Sequence, residues 1–218
     1  MIFSAKAILF DMDGVLMDST PSVERVWRVW AQAHGLDPES VAAQAHGRRS
    51  IETIRAVAPE LDAEKENVVV EQMEIDDKEG VTALPGAAEL LANLPDDRLA
   101  IVTSATRPLA VARLGYAGIS VPRHMITAED VVHGKPSPEP FLNGAALLGF
   151  APADCLVFED TPAGIASARA AGMQAVALQT TYPAHQLQAA DAIIRNLADV
   201  KATLREENIV LEIVQFRS

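Results

Sequence analysis

Short runs of apolar residues alternate along most of the chain with longer stretches of helical periodicity. The apolar runs predict strands at residues 5–10, 99–103, 124–127, 155–158, 175–178, 192–194 and 208–216. The stretches between them predict helices, among them 108–116, 138–148, 163–171 and 198–205. Strands that are apolar throughout, each followed by a helix, are typical of a parallel sheet covered on both faces. The pattern therefore predicts an α/β fold of the Rossmann-like, doubly wound type.

One segment departs from this alternation. Residues 21–83 contain no predicted strand, and their apolar positions recur at helical spacing. An insert of roughly 60 residues is far longer than an ordinary connection of about 2–6 residues. It predicts a helical cap, residues 18–83, inserted into an α/β core that comprises residues 1–17 and 84–218.

Composition and charge narrow the class of protein. Of the 218 residues, 49% are hydrophobic and 22% are charged, which is enough apolar material to bury a core. The formal net charge of −12 argues against nucleic acid or an anionic membrane surface as the partner, because both select basic faces. The single cysteine, Cys155, excludes an internal disulfide and fits a reducing compartment. We therefore expect a cytoplasmic protein. A monomer or a weak homodimer is expected as its assembly state.

Polar residues gather where the predicted strands end. In chain order they are Asp11, Asp13, Gly14, Thr103, Ser104, Lys135, Glu159 and Asp160. Taken singly, each of these motifs is more often a turn, a helix cap or a loop than a site. Because the carboxyl ends of parallel strands meet at one edge of the sheet, where ligands bind, their joint order predicts a shared site.

Carboxylates, hydroxyls and an ammonium at one edge favour the transfer of a phosphoryl group. Asp11 and Asp13 stand two residues apart on extended chain, so their carboxylates repel unless a cation lies between them or one keeps its proton. Glu159 and Asp160 add oxygen ligands suited to Mg²⁺, which is a hard cation. The hydroxyl residues after the second strand can hold phosphate oxygens, and Lys135 supplies a positive charge beside them.

Four motifs stand in order along the chain: LFDMDGVL, the Thr103-Ser104 strand end, GKPSPEP and FEDTPAGI. Together they resemble the motifs of the haloacid dehalogenase-like hydrolases, and the resemblance spans essentially the whole chain. It implies a small helical cap after the first motif and a Mg²⁺-dependent phosphatase that forms an aspartyl-phosphate. Family members that displace halide lack an acidic group two residues after the nucleophile, so the presence of Asp13 favours hydrolysis of phosphate esters.

The resemblance also implies a role for each residue of the site. Asp11 is the implied nucleophile, and Asp13 is the general acid that protonates the leaving alcohol and then the base that activates water. Lys135 holds the phosphoryl group together with Thr103 or Ser104, and the choice between these two hydroxyl residues is left open. The implied ligands of Mg²⁺ are Asp11, Asp13 through its carbonyl, Asp160 and Glu159.

The predicted cap contains the segment AHGRRS at residues 45–50. This segment resembles the cap loop of sugar and polyol phosphatases of the same family, including glycerol phosphatases and 2-deoxyglucose-6-phosphate phosphatases. The resemblance implies that His46, Gly47, Arg48 and Arg49 bind a small phosphorylated sugar or polyol, the arginines through their forked donors. The alternative is a solvated turn with two exposed arginines.

Two other functions remain open. A sugar phosphomutase shares the fold and the motifs, but similar mutases carry a histidine at the cap hinge, and residues 17–27 contain none. A phosphoacceptor signalling module also combines acidic, hydroxyl and lysine residues at strand ends. Such modules are shorter and lack a helical insert, which makes this function the weaker of the two.

Several other features are assigned to structure rather than to chemistry. Trp27 and Trp30 lie one helical turn apart, which favours packing inside the cap over stacking on a sugar. The acidic run at residues 74–80 is expected to be a solvated helix end. Asp18, Ser19 and Thr20 lie at the hinge and are candidates for touching substrate, whereas the run Ser19-Thr20-Pro21 is equally typical of a helix cap.

Overall fold

The computed structural model describes residues 1–45 and 47–213. The strands are β1 (Ile2–Ala5), β2 (Ala7–Phe10), β3 (Met17–Asp18), β4 (Thr82–Ala83), β5 (Leu99–Val102), β6 (Met125–Ile126), β7 (Cys155–Glu159), β8 (Gln174–Leu178), β9 (Ala192–Ile194), β10 (Val200–Arg205) and β11 (Asn208–Ile213). The α-helices are α1 (Thr20–Ala33), α2 (Pro38–Ala45), α3 (Ser50–Val57), α4 (Ala63–Asp76), α5 (Ala87–Ala92), α6 (Arg107–Tyr116), α7 (Glu139–Leu148) and α8 (Pro162–Ala170).

The main sheet is parallel, and among the described residues it has six strands in the order β6-β5-β2-β7-β8-β9. Strand β2 pairs with β5 on one side and with β7 on the other. The chain proceeds from β2 through β5 to one edge at β6 and then crosses to the opposite side at β7, so the direction of winding reverses at β2. In such sheets ligands bind outside the carboxyl ends of the strands at this switch point.

Alternate residues of the central strands point to opposite faces of the sheet and form two hydrophobic clusters. Ile8 and Phe10 belong to one cluster, and Ala7 and Leu9 belong to the other. Helices α5 and α6 cover the first cluster, and α7 and α8 cover the second. Burial on both faces explains the continuous apolar runs of the strands. The predicted Rossmann-like, doubly wound α/β core is confirmed.

Helices α1 to α4 lie between β3 and β4 and pack around a hydrophobic cluster of their own. Trp27 and Trp30 belong to it, with their ring centroids 5.5 Å apart in an edge-to-face arrangement. The chain enters and leaves this helical segment through the antiparallel ladder of β3 and β4, in which Met17 pairs with Ala83. The predicted cap, residues 18–83, begins and ends within this ladder, which is too short to leave a periodic signal in the sequence.

The C-terminal segment differs from the sequence expectation. The predicted helix at 198–205 is wrong, because Val200–Arg205 is a strand that forms a hairpin with β11 and joins β1 in a second, antiparallel sheet. The turn residues Glu206 and Glu207 lack the Asn-Gly or Asp-Gly signal of tight hairpins, although Glu206 adopts the positive φ, 54°, that such turns require. Alanine, leucine and arginine favour helices intrinsically, and here strand pairing overrides that preference.

Three further outcomes concern element boundaries and membrane helices. The predicted strand at 5–10 is interrupted at Lys6, because β1 pairs with β11 whereas β2 belongs to the main sheet. The predicted last strand is confirmed as Asn208–Ile213, and residues 214–216 lie outside the described part of the chain. Within residues 1–45 and 47–213, no helix has the length and apolar character needed to cross a membrane.

Candidate active site

The polar residues predicted at the strand ends line one cleft between the sheet edge and the helical segment. From the core the cleft contains Asp11, Asp13, Gly14, Thr103, Ser104, Lys135, Glu159 and Asp160. Gly47, Arg48 and Glu74 line it from the opposite side. The sheet topology therefore assembles all of the predicted core residues, as the reversal of winding at β2 requires.

Lys135 joins Asp11 to Glu159. Its Nζ donates to Oδ1 of Asp11 at 2.5 Å and to Oε1 of Glu159 at 2.6 Å, and the lysine side chain is only 2% exposed. Burial alone favours the neutral amine, but the charges of the two carboxylates outweigh it and raise the pKa of Lys135. The ammonium therefore stays charged and fixes Oδ1 of Asp11, a residue that lines the cleft.

Both oxygens of Glu159 accept hydrogen bonds. Oε1 accepts from Lys135, and Oε2 accepts from the backbone N–H groups of Asp160 at 2.8 Å and Thr161 at 2.7 Å. These groups open helix α8, whose N-terminus favours a negative charge. An added Cβ at Gly164 would overlap the Glu159 carboxylate, so only glycine permits this close approach. Glu159 thus supports Lys135, and a direct bond from Glu159 to a metal ion stays a prediction.

Asp11, Glu159 and Asp160 form an acidic cluster that can hold a metal ion. One carboxylate oxygen from each lies within 4.8 Å of the others, and all three residues are buried. Oδ1 of Asp160 is buried without a hydrogen-bond partner among the described residues. A buried carboxylate oxygen without a donor or a cation is costly. These oxygen donors therefore fit a hard divalent cation.

The charges in this cluster shift its ionisation equilibria. Burial is the main cause that raises the pKa of Asp11 to about 7, against the opposing charge of Lys135. Burial and the charges of Glu159 and Asp11 raise the pKa of Asp160 well above its ordinary value. Three carboxylates around one ammonium leave an excess of negative charge, and a bound divalent cation would remove that excess.

Asp13 is held at both of its carboxylate oxygens. The Ser19 hydroxyl donates to Oδ1 at 2.6 Å, and Nη1 of Arg113 donates to Oδ2 at 3.0 Å. Ser19 precedes helix α1 but makes no side-chain capping bond there, so its hydroxyl serves Asp13 instead. Gly14, with a φ of 78°, allows the sharp turn that directly follows Asp13.

Thr103 and Ser104 lie at the end of β5. Thr103 Oγ1 accepts from the N–H of Ala105 at 3.1 Å, which leaves its hydroxyl hydrogen free to donate. The Ser104 hydroxyl reaches across the cleft to the carbonyl of Gly47 at 3.4 Å. Gly47 has a φ of 71°, and an added Cβ there would collide with Thr161. The loop at Gly47 therefore lies close to the sheet edge.

The other residues of the predicted cap loop lie in different places. Arg48 is exposed and lines the cleft. Arg49 donates instead to the carbonyl oxygens of Val132 at 3.1 Å and Ala128 at 3.2 Å, and so ties the helical segment to the core. A contact between Arg49 and substrate stays a prediction. His46 lies outside the described residues.

Two buried charged residues of the cleft are not predicted by the sequence pattern. Nη2 of Arg113 lies 3.2 Å from Oε1 of Glu74, and both side chains are almost wholly buried. The expectation that residues 74–80 are solvated is wrong for Glu74, whose side chain is buried because α4 packs against α6 at this position. Arg113 did leave a signal, since it falls on the buried face of α6 with Leu109 and Leu114, where a charge needs a partner.

Lys135→Met is expected to destabilise the metal-free protein by about 3–5 kcal/mol at about pH 8, because two buried carboxylates lose their shared ammonium. The loss should shrink at about pH 6, where Asp11, with its pKa of about 7, takes up a proton. Urea unfolding measures the difference. The exposed Lys78→Met is the matched control, expected within about 0.5 kcal/mol of wild type. If Lys135→Met loses the same free energy of unfolding at both pH values, the charge of Asp11 does not cause the destabilisation, which would contradict this account.

Known proteins match both the sequence and the fold. The family model described as haloacid dehalogenase-like hydrolase matches residues 5–172. Hexitol phosphatase A of Escherichia coli is 42% identical over 211 residues, which cover 94% of this chain and 98% of that protein. Glycerol-1-phosphate phosphohydrolase 2 of Saccharomyces cerevisiae is 36% identical, over 89% of this chain and 84% of that protein. A solved structure of a hydrolase from Pseudomonas syringae superimposes with a TM-score of 0.80 at 26% identity, over 89% of this chain and 95% of that one.

Proposed function

This chain belongs to the haloacid dehalogenase-like hydrolases, and we propose that it is a Mg²⁺-dependent phosphatase of small sugar or polyol phosphates. The proposal rests on that membership and on the geometry of the cleft. The proposed reaction proceeds through a phosphorylated Asp11. The chain is an enzyme of the phosphoric monoester hydrolase class, like the relatives it matches. One observation carries the proposed mechanism. Lys135 fixes Oδ1 of Asp11, which stands beside Asp13, whose carboxylate is held in place.

In the first half of the proposed reaction, Oδ2 of Asp11 attacks the phosphorus atom of the substrate. The bond between phosphorus and the alcohol oxygen breaks as the bond to Asp11 forms, and Asp13 gives its proton to the departing oxygen. Lys135 remains charged and offsets the negative charge that gathers between the carboxylate and the phosphoryl oxygens. The hydroxyl of Thr103 or Ser104 donates to one of those oxygens.

In the second half, Asp13 is ionised and acts as a base. It accepts a proton from a water molecule, whose oxygen attacks the phosphorus on Asp11. The bond between phosphorus and Oδ2 breaks, inorganic phosphate leaves, and Asp11 is restored as a carboxylate. Asp13 regains from water the proton that it gave to the alcohol, so the site returns to its starting state.

The proposed cation is Mg²⁺, held by Asp11, Asp160 and the backbone carbonyl of Asp13. The buried Oδ1 of Asp160, which has no hydrogen-bond partner within residues 1–45 and 47–213, supports this choice, and Mg²⁺ takes few carboxylates and keeps several waters. When bound, Mg²⁺ neutralises carboxylates that would otherwise repel the phosphoryl group. We propose Glu159 first as the partner of Lys135, because both of its oxygens accept hydrogen bonds, and a direct bond from Glu159 to the cation stays a prediction.

The proposed substrate class has two kinds of support. The relatives named above are a hexitol phosphatase and a glycerol-1-phosphate phosphohydrolase. The cleft combines polar groups such as Arg48 and Ser50 with apolar surface from Val23 and Trp27, which suits a hydroxylated carbon chain. We propose that residues 18–83 act as a cap, which closes over the substrate and excludes bulk water.

The test is phosphate release by the purified protein from a panel of phosphomonoesters. We expect turnover of hexitol, glycerol and sugar phosphates that is lost with EDTA and restored by Mg²⁺. Interconversion of sugar phosphate isomers with little phosphate release would instead establish a phosphomutase. A phosphorylated protein that lasts for minutes or longer would establish a phosphoacceptor module. No release from any ester in the panel would refute the proposed function.

A further inference from the structure

A buried guanidinium connects Asp13 to the cap. Arg113, on helix α6 of the core, is 4% exposed, and its Nη1 donates to Oδ2 of Asp13 at 3.0 Å. Its Nη2 lies 3.2 Å from Oε1 of Glu74, on helix α4 of the cap, which makes an ion pair without hydrogen-bond geometry among the described residues. Glu74 is 3% exposed, and burial raises the pKa of its carboxyl group against the opposing charge of Arg113. One cation thus stands between the proposed general acid and a buried carboxylate of the cap.

The other oxygen of Asp13 also depends on the cap. Oδ1 accepts from the hydroxyl of Ser19, which directly precedes α1, the first cap helix. Each oxygen of Asp13 is therefore held either by a residue at the base of the cap or by an arginine whose second partner lies on the cap. Partners of this kind fix the orientation of a reacting group, and small losses of orientation are costly in rate.

We propose that Arg113 is a positioning residue, which orients Asp13 for proton transfer only while Glu74 of the docked cap completes its charge pairing. This role rests on the proposed function, since it acts through the proposed acid–base chemistry of Asp13. With the cap docked, the guanidinium has a carboxylate on each side and little room to move. When α4 moves away with the cap, Arg113 loses one partner and gains freedom to change rotamer, so Asp13 loses a fixed donor. Proton transfer is thereby confined to the closed cleft, where bulk water is excluded.

A rival interpretation is that the Arg113–Glu74 pair only docks the cap. Helix α4 makes a further polar contact with the core at Thr106, the residue that directly precedes α6, whose Oγ1 donates to Oε1 of Glu71 at 2.5 Å. This contact does not involve the acid–base residue. Glu71 lies one turn before Glu74 on the same helix and pairs with the residue just before the same core helix. Glu71→Gln is therefore a matched control for Glu74→Gln.

Arg113→Met is expected to lower kcat on alkyl phosphates about 10- to 100-fold, by analogy with the loss found when a side chain that orients a metal ligand is removed. KM should change by less than about threefold, because substrate contacts are kept. Arg113→Lys keeps the positive charge but not the forked donors of the guanidinium, so its kcat should lie between those of Arg113→Met and wild type. Glu74→Gln should lower kcat as well, whereas Glu71→Gln should leave it close to wild type.

The decisive comparison repeats Arg113→Met in an Asp13→Asn background. There it should change the residual rate by less than about twofold, because a residue that acts through Asp13 has nothing left to position. An equal loss in both backgrounds, or an equal loss from Glu71→Gln and Glu74→Gln, would reduce the pair to cap docking and overturn the inference.

Melting temperatures report whether each variant folds. If Arg113→Met does not fold, the same comparison is made with Arg113→Lys and with the isosteric Glu74→Gln. Folded wild-type protein that releases no phosphate would refute the proposed function, and this role with it. If the wild-type protein turns over substrate and the substitutions of Arg113 and Asp13 lower kcat additively, the positioning role of Arg113 is refuted while the proposed function stands.

Discussion

Asp11→Asn is expected to lower kcat/KM for every substrate by at least about 10³-fold, as the loss of a nucleophile does in other enzymes. The amide keeps nearly the shape of the carboxylate and an oxygen that can accept from Lys135, but it neither attacks phosphorus nor carries charge toward a cation. A phosphate-release assay with Mg²⁺ measures the effect. The exposed Asp97→Asn, which lies outside the cleft, is the control and should keep the wild-type rate. Turnover by Asp11→Asn within about tenfold of wild type would exclude the covalent mechanism.

The same substitution should not destabilise the metal-free protein at high pH. Burial is the main cause that raises the pKa of Asp11 from its usual 3.8 to about 7. Between these values the folded protein holds a proton that the unfolded chain has released, so the contribution of Asp11 to stability falls as the pH rises through this window. Asp11→Asn removes this ionisation. Its melting temperature with EDTA should fall less than that of wild type between about pH 5 and about pH 8.

Asp13→Asn is expected to slow the turnover of alkyl phosphates about 10²- to 10⁴-fold, the usual contribution of a general acid or base. The amide can neither protonate the leaving alcohol nor accept a proton from water, so both halves of the reaction suffer. An aryl alcohol of low pKa leaves without protonation. With an aryl phosphate, the first half should therefore proceed while the second half stalls.

Rapid mixing of the variant with an aryl phosphate separates the two halves. We expect a burst of aryl alcohol of about one equivalent per protein, followed by slow turnover, which is the signature of a covalent intermediate that accumulates. An alkyl phosphate should give no burst, and Asp97→Asn should behave as wild type. Equal slowing of alkyl and aryl substrates without a burst would contradict the role assigned to Asp13.

The core residues of the site could be predicted because local chain geometry places them. A continuous apolar run ends where the buried part of its strand ends. In a parallel sheet the carboxyl ends of the strands all lie at the same edge. Asp11, Thr103 and Asp160 follow the adjacent strands β2, β5 and β7, and they meet at that edge for this reason alone. The prediction of a helical insert rests on its length and on the absence of strand patterns within it.

Features that depend on how two distant elements pack could not be predicted in this way. The pairing of Arg113 with Glu74 requires that α4 of the cap rest on α6 of the core, and no local pattern specifies that contact. From the sequence alone, Glu74 therefore belongs to an acidic run that is expected to be solvated. Strand β10 escapes prediction for a related reason, because its residues favour a helix and only pairing with β11 makes them extended.

The most direct test of the proposed mechanism is to trap the phosphoryl group on Asp11. Wild-type protein is mixed with a polyol or sugar phosphate and Mg²⁺, quenched with acid during turnover, and reduced with borohydride, which converts an aspartyl-phosphate to homoserine. Mass spectrometry of the peptide that contains residue 11 should then show homoserine in place of Asp11, and the yield from an aryl phosphate should rise in Asp13→Asn. Phosphate release at the full rate with Asp11 unmodified at every quench time would contradict the account.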